Sequence, residues 1–167
     1  WRLHNPPGPE PPAGADEQFT RLEQVLDFAP TAAIIAGPAS THLELARPLA
    51  AAGVHLLIEK PLATDSATDL TGMAELIGAW RDRGLVLMTG YNLRFLPSLQ
   101  AVKARLDAGD IGQVLAARAE VGQYLPDWRP ASDYRTGVSA QCALGGGALL
   151  ELSHELDYLG WLFGPPA

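Results

Sequence analysis

An α/β fold with a parallel sheet in its first half follows from three observations: apolar runs of strand length, amphipathic stretches of helix length between them, and short joints carrying Gly or Pro. The runs are residues 32–36, 54–58 and 85–89, almost free of polar side chains, as expected of strands buried on both faces. Before the first, Phe19, Leu22, Val25, Leu26 and Phe28 recur at helical spacing from Asp16, and Pro30 closes the helix. Ser40 or Thr41 caps a second helix that runs to about Ala52 and ends at Gly53. Thr64 or Asp65 opens a third, ending near Gly84. Strand, helix, strand, helix, strand with short joints predicts right-handed parallel crossovers. Residues 1–15, crowded with Pro and Gly, show neither period and are expected to be irregular.

After Tyr91 the pattern changes, and a second domain is expected over 92–167, the first being 1–91. A helix is predicted over 97–107 and a turn at Gly109-Asp110-Ile111-Gly112. A strand follows over 114–124, where apolar and polar positions alternate as in a sheet with one wet face. The polar loop 125–144 has the length at which loops are usually functional or disordered. An amphipathic helix over 147–163 completes the chain.

Composition excludes several classes. With 167 residues and 47% hydrophobic content the chain is long enough for a buried core. A net charge of -7 without any Lys/Arg cluster argues against binding nucleic acid, which needs many phosphate-neutralising cations. No apolar run reaches the roughly 18 residues of a membrane span, and no signal-peptide pattern opens the chain. A cytoplasmic protein without a membrane partner is therefore expected. The single Cys142 forms neither an internal disulfide nor a thiolate metal site, and no metal is expected. A start at Trp1 and an end at Gly164-Pro165-Pro166-Ala167 suggest a piece cut at both ends.

The segment 53–62 places Glu59 and Lys60 at the C-terminal end of a buried parallel strand, where α/β sheets bind ligands. A lysine there, beside apolar surface, can exchange a proton with a substrate. Pro61 fixes the turn and admits a cis Lys60-Pro61 bond. An ion-paired surface turn is the bland alternative. Gly37-Pro38-Ala39-Ser40-Thr41-His42 runs from a strand end to a helix start, whose free amides suit a polar ligand, or it is simply a helix cap. On the last predicted helix Glu151, His154 and Asp157 are spaced three apart, so a carboxylate could orient the imidazole; a satisfied structural histidine is the alternative. Tyr124, Trp128 and Arg129 mix aromatic faces with a charged fork, which suits either sugar recognition or an oligomer contact. Gly145-Gly146-Gly147 lacks a following Lys-Ser/Thr and reads as a tight lead into the last helix.

Residues 33–42, Glu59-Lys60-Pro61, Gly90-Tyr91-Asn92-Leu93-Arg94-Phe95, and Gly145-Gly146-Gly147 through His154 to Asp157 together resemble the glucose-fructose oxidoreductase, inositol dehydrogenase and MocA family, over about residues 17–164. The resemblance implies a partial Rossmann domain binding NAD or NADP, then part of an α/β domain whose open, largely antiparallel sheet often mediates homo-oligomers. It implies hydride transfer between nicotinamide and a sugar, cyclitol or related polyol. Lys60 and His154 would be the catalytic pair, with Glu151 beside His154. Gly37, Pro38, Ser40, His42, Glu59 and Asn92 would line the cofactor, and Arg94 and Asp157 would belong to the substrate side. Two departures bear on Glu151: a Glu stands where an Asp is commoner, and it precedes the histidine by three residues rather than four. The family's Gly-x-Gly-x-x-Gly phosphate loop is missing and is expected upstream of residue 1. A sugar-binding remnant without catalysis, or an NAD-using lyase or glycosidase, stays open as an alternative.

Overall fold

A computed structural model describes residues 13–64 and 67–165, the side chains of 67–70 excepted. Most of the irregular N-terminal stretch and the predicted helix start at Asp65 lie outside the described residues. The chain divides between Thr89 and Gly90.

The first unit contains α1 (Leu22–Asp27), β1 (Ala32–Ile35), α2 (His42–Ala51), β2 (His55–Ile58), α3 (Ala67–Asp82) and β3 (Leu87–Thr89). All three strands are parallel in the order β1-β2-β3, with Ala33 opposite Leu56, Leu56 opposite Leu87, and Ile58 opposite Thr89. Gly53 adopts φ +85° and ends α2 in the left-handed conformation that only glycine takes without strain. Arg83 completes that helix end, its Nη1 donating to the carbonyls of Ala50 at 2.5 Å and Ala51 at 2.9 Å. Thr41 stands at the N-cap of α2, but its hydroxyl turns back to the Pro38 carbonyl instead of capping.

The core lies on one face of the sheet. Ile35, Leu56 and Ile58 pack with Leu43, Leu45, Ala46, Leu49 and Ala50 of α2 and with Leu76 and Trp80 of α3. Full burial of side chains of this size contributes about 1.5–3 kcal/mol each. The expectation of strands covered on both faces is corrected here. Ile34, Leu57 and Met88 stand opposite one another in register, and Ile34 is 70% and Met88 49% exposed. Successive strand residues face opposite sides, and the described helices cover one of them.

The second unit is helical among the described residues: α4 (Pro97–Asp107), α5 (Leu125–Trp128), α6 (Ala148–Glu151) and α7 (His154–Phe163), with single 3-10 turns at Asn92–Phe95, Tyr134–Thr136, Val138–Ala140 and Cys142–Leu144. Pro97 opens α4, where its missing N–H costs nothing. Three expectations change. Residues 114–124 form no strand, and Leu115 is 87% exposed; alternation prepares a strand, but the ladder requires a neighbour, and none is present among the described residues. The loop 125–144 is folded into successive helical turns. The last helix is two, because Leu152 (φ -100°, ψ 30°) leaves the helical region and Ser153 starts α7 as its N-cap. No described helix is long and apolar enough to cross a membrane.

Candidate functional site

The C-terminal ends of the parallel strands carry most of the expected cofactor residues. Beyond β1 the chain passes Gly37 and Pro38, makes one 3-10 turn at Ala39–Thr41, and enters α2. Thr41 holds this turn shut, with its amide and its hydroxyl both donating to the Pro38 carbonyl, at 2.9 and 2.8 Å. Gly37 and Ser40 are left exposed and Pro38 half-buried. Beyond β2, the Glu59 amide extends the ladder by donating to the Ile35 carbonyl at 2.8 Å. Lys60 follows, half-buried, two residues past the last residue of the central strand. Its amide donates to Glu59 Oε2 at 3.3 Å, and the Lys60-Pro61 peptide is cis.

His42 was expected among the cofactor-lining residues, but the ring is fully buried and cannot touch a ligand. Its Nδ1 lies 3.0 Å from the Pro61 carbonyl oxygen and its Nε2 2.9 Å from that of Gly37. The imidazole therefore bridges the loops that follow β1 and β2. A sequence signal was available: His42 is in phase with Leu45, Ala46 and Leu49, the buried stripe of α2.

In the second unit His154 is the first residue of α7 and is half-buried. Tyr91, not singled out from the sequence, meets it edge to face, with ring centroids 5.7 Å apart and planes at 80°. The buried Nδ1 of His154 has no hydrogen-bond partner, so Glu151 does not hold that nitrogen. The break at Leu152–Ser153 puts Glu151 at the end of α6 and His154 at the start of α7, so the two do not share one helix. Beside it, the Ser153 hydroxyl is also buried without a partner.

Arg94 and Asp157, both expected on the substrate side, are joined to each other. Arg94 Nε and Nη2 donate to the two carboxylate oxygens at 2.8 and 2.6 Å. Asn92 is exposed on the 3-10 turn that also carries Arg94. The remaining three substrate candidates do come together: Tyr124, Trp128 and Arg129, with Gln123 and Asp127, line an open hollow of about 460 Å³. Two rings, a guanidinium and a carboxylate give it the mixed lining that polyol or acidic-sugar ligands require. Among the described residues no group of three His, Cys, Asp or Glu stands close enough to hold a metal ion.

Comparison with known proteins gives the family and the fold. Residues 13–91 match the model of an oxidoreductase family with an NAD-binding Rossmann fold, and residues 99–167 match the GFO/IDH/MocA C-terminal domain. An uncharacterized oxidoreductase of Synechocystis is 34% identical over 149 residues, which span 88% of this chain and 38% of that protein. Levoglucosan dehydrogenase of Pseudarthrobacter phenanthrenivorans is 32% identical over 134 residues, 78% of this chain and 32% of the enzyme. Among solved structures, the WlbA dehydrogenase from Bordetella pertussis in complex with NADH and UDP-GlcNAcA superposes with a TM-score of 0.67 at 26% identity, over 88% of this chain and 41% of that one. The chain thus spans about two-fifths or less of the length of the proteins it matches.

Proposed function

Because the chain belongs to the Gfo/Idh/MocA family of oxidoreductases, we propose that it serves an NAD- or NADP-dependent dehydrogenase moving hydride between nicotinamide and a CH–OH or keto carbon of a sugar, cyclitol or related polyol. The observation that carries the reading is the place of Lys60, half-buried just past the C-terminal end of the central parallel strand, beside a polar turn that leaves Gly37 and Ser40 exposed. These residues fit a dinucleotide: an exposed Ser40 hydroxyl in the turn before α2, an exposed Glu59 carboxylate able to accept from ribose hydroxyls, and no Cβ on exposed Gly37 to bar close approach.

When bound, nicotinamide supplies the hydride acceptor or donor at C4. In the oxidising direction the carbinol carbon loses its hydrogen with the bonding electron pair, and the hydroxyl must lose a proton to balance it. Lys60 holds the hydroxyl oxygen through its ammonium hydrogens, and His154 takes the proton; reduction returns it by the same route. Tyr91 packs the imidazole in place, a task the sequence suggested for Glu151. Tyr124, Trp128 and Arg129 receive the distal part of the substrate, the rings against a sugar face and the guanidinium toward an acidic substituent. Residues 114–124 keep the alternation of a strand, and in this reading they join an open, largely antiparallel sheet through which copies associate. The levoglucosan dehydrogenase relative and the sugar-nucleotide complex of the WlbA dehydrogenase support the substrate class.

The test uses the protein that carries this sequence. NADH and NADPH are titrated by fluorescence, and turnover is measured with a panel of sugars, sugar acids and cyclitols. Lys60→Met and His154→Asn should each lower kcat by about 100-fold or more while cofactor binding persists. A Lys60→Met variant with near-normal kcat would remove the assignment.

A further inference from the structure

The His42 ring reaches no solvent, yet it spends both nitrogens on backbone carbonyls 24 residues apart in the chain, Gly37 and Pro61. Both carbonyls belong to the loops that leave the C-terminal ends of β1 and β2. Carbonyl oxygens only accept, so each contact needs a proton on the facing nitrogen: either neutral tautomer serves one carbonyl, and the doubly protonated ring serves both. The Pro61 side is the informative one. Pro61 is buried, and its nitrogen closes the peptide of Lys60, so whatever fixes the Pro61 carbonyl fixes the backbone from which the Lys60 side chain leaves. The Gly37 side fixes the turn that runs into α2.

We propose that His42 is a positioning residue, a buried clamp that ties the Gly37 turn to the Lys60-Pro61 loop and thereby aims the Lys60 amine. The part of this that concerns catalysis rests on the dehydrogenase reading above; the clamp itself does not. Each bond has its own task. The one to Pro61 governs the lysine and hence the chemical step. The one to Gly37 governs the turn with exposed Ser40 and hence cofactor affinity. Water does not reach the ring itself, and the contact to the Pro61 carbonyl is buried as well.

Three variants separate the two bonds. The amide nitrogen of Asn stands about where Nδ1 stands and that of Gln about where Nε2 stands, so His42→Asn keeps the Pro61 bond, His42→Gln keeps the Gly37 bond, and His42→Ala keeps neither. Measured in the protein that carries this sequence, His42→Gln should lose about 10- to 100-fold in kcat with NADH affinity near wild type, since a misplacement of the order of 1 Å has that effect. His42→Asn should hold kcat within a few-fold and lose NADH affinity instead. Amide hydrogen exchange over 59–64 should accelerate in His42→Gln and His42→Ala and stay slow in His42→Asn, a readout that needs neither substrate nor cofactor. If His42→Ala does not fold, the Asn and Gln variants carry the comparison alone. Equal behaviour of Asn and Gln in both exchange and kcat would overturn the proposal. Selective exchange in a protein that reduces no nicotinamide would sustain the clamp and sink the dehydrogenase reading.

Discussion

Arg94 grips Asp157 through two hydrogen bonds across 63 positions of sequence, tying the 3-10 turn Asn92–Phe95 to α7. The Asp157 side chain is only 9% exposed, whereas the Arg94 side chain as a whole is 43% exposed. The hydrogen bond to Asp157 raises the pKa of Arg94, against a smaller opposing effect of burial. A raised folded value means the contribution is complete below the ordinary guanidinium range and fades only above it, so this bond does not weaken anywhere near neutral pH.

Breaking the pair should therefore cost more than an exposed ion pair and less than a fully buried one, about 2 kcal/mol for Arg94→Ala, which strands a nearly buried carboxylate. Arg94→Lys keeps the charge but not the two-pronged geometry and should recover less than half of the loss. Asp157→Asn should fall between them. Denaturant midpoints measure all three, and a loss under about 0.5 kcal/mol for Arg94→Ala, inside the range of exposed pairs, would show that the fork contributes no more than an ordinary surface ion pair.

Gly146 makes a second prediction, since it is buried where the chain folds under its own preceding turns. A Cβ there would collide with the Val138 carbonyl and lie 2.8 Å from that of Ser139 and 2.9 Å from that of Gln141. The amides of Gly146 and Gly147 donate to those of Gln141 and Ser139, so neither side has room to yield. Gly146→Ala should destabilise the protein by about 3 kcal/mol, the upper part of the overpacking range. Gly160 in α7 has open space around it, and Gly160→Ala should add about 0.5–1 kcal/mol. Opposite shifts in Tm for the two alanines are the expected result, and equal shifts would contradict the packing described for Gly146.

What the sequence revealed and what it hid divide along the range of the interaction. The strands around Ile35 and Ile58 and the glycine stop at Gly53 depend on neighbours a few residues away, and these were legible. The Lys60 position was legible for the same reason, as the end of an apolar run. The open row Ile34, Leu57 and Met88 was not, because an apolar strand residue does not disclose whether a helix covers it. Residues 114–124 show the converse: their alternation is local, but a ladder is made with another strand. The break at Leu152–Ser153 fell inside a run whose helical period is unbroken, and it put Glu151 and His154 on different helices. Arg94 and Asp157 were both identified as polar residues with work to do, but nothing in their spacing says that they bind each other rather than a ligand. For His42 the information was present in its phase with Leu45 and Leu49, and the apparent polarity of the side chain masked it.

Tyr158 gives the last prediction, in α7 beside Glu155. Burial raises its pKa first, and the charge of Glu155 raises it further. With the folded value above the unfolded one, the unfolded chain releases its phenolic proton earlier as pH rises. Stability is thus unaffected below the ordinary tyrosine range and is lost as pH climbs through it toward the folded value. Tyr158→Phe removes that slope. The denaturant midpoints of the parent and of Tyr158→Phe should therefore differ by a constant amount from neutrality to mildly alkaline pH, and the variant should gain on the parent once the tyrosine range is entered. Titrations shared by both proteins cancel in the difference. Curves that stay parallel through the alkaline limb would show that the phenol is as free to ionise in α7 as in the unfolded chain, and that neither burial nor Glu155 holds it neutral.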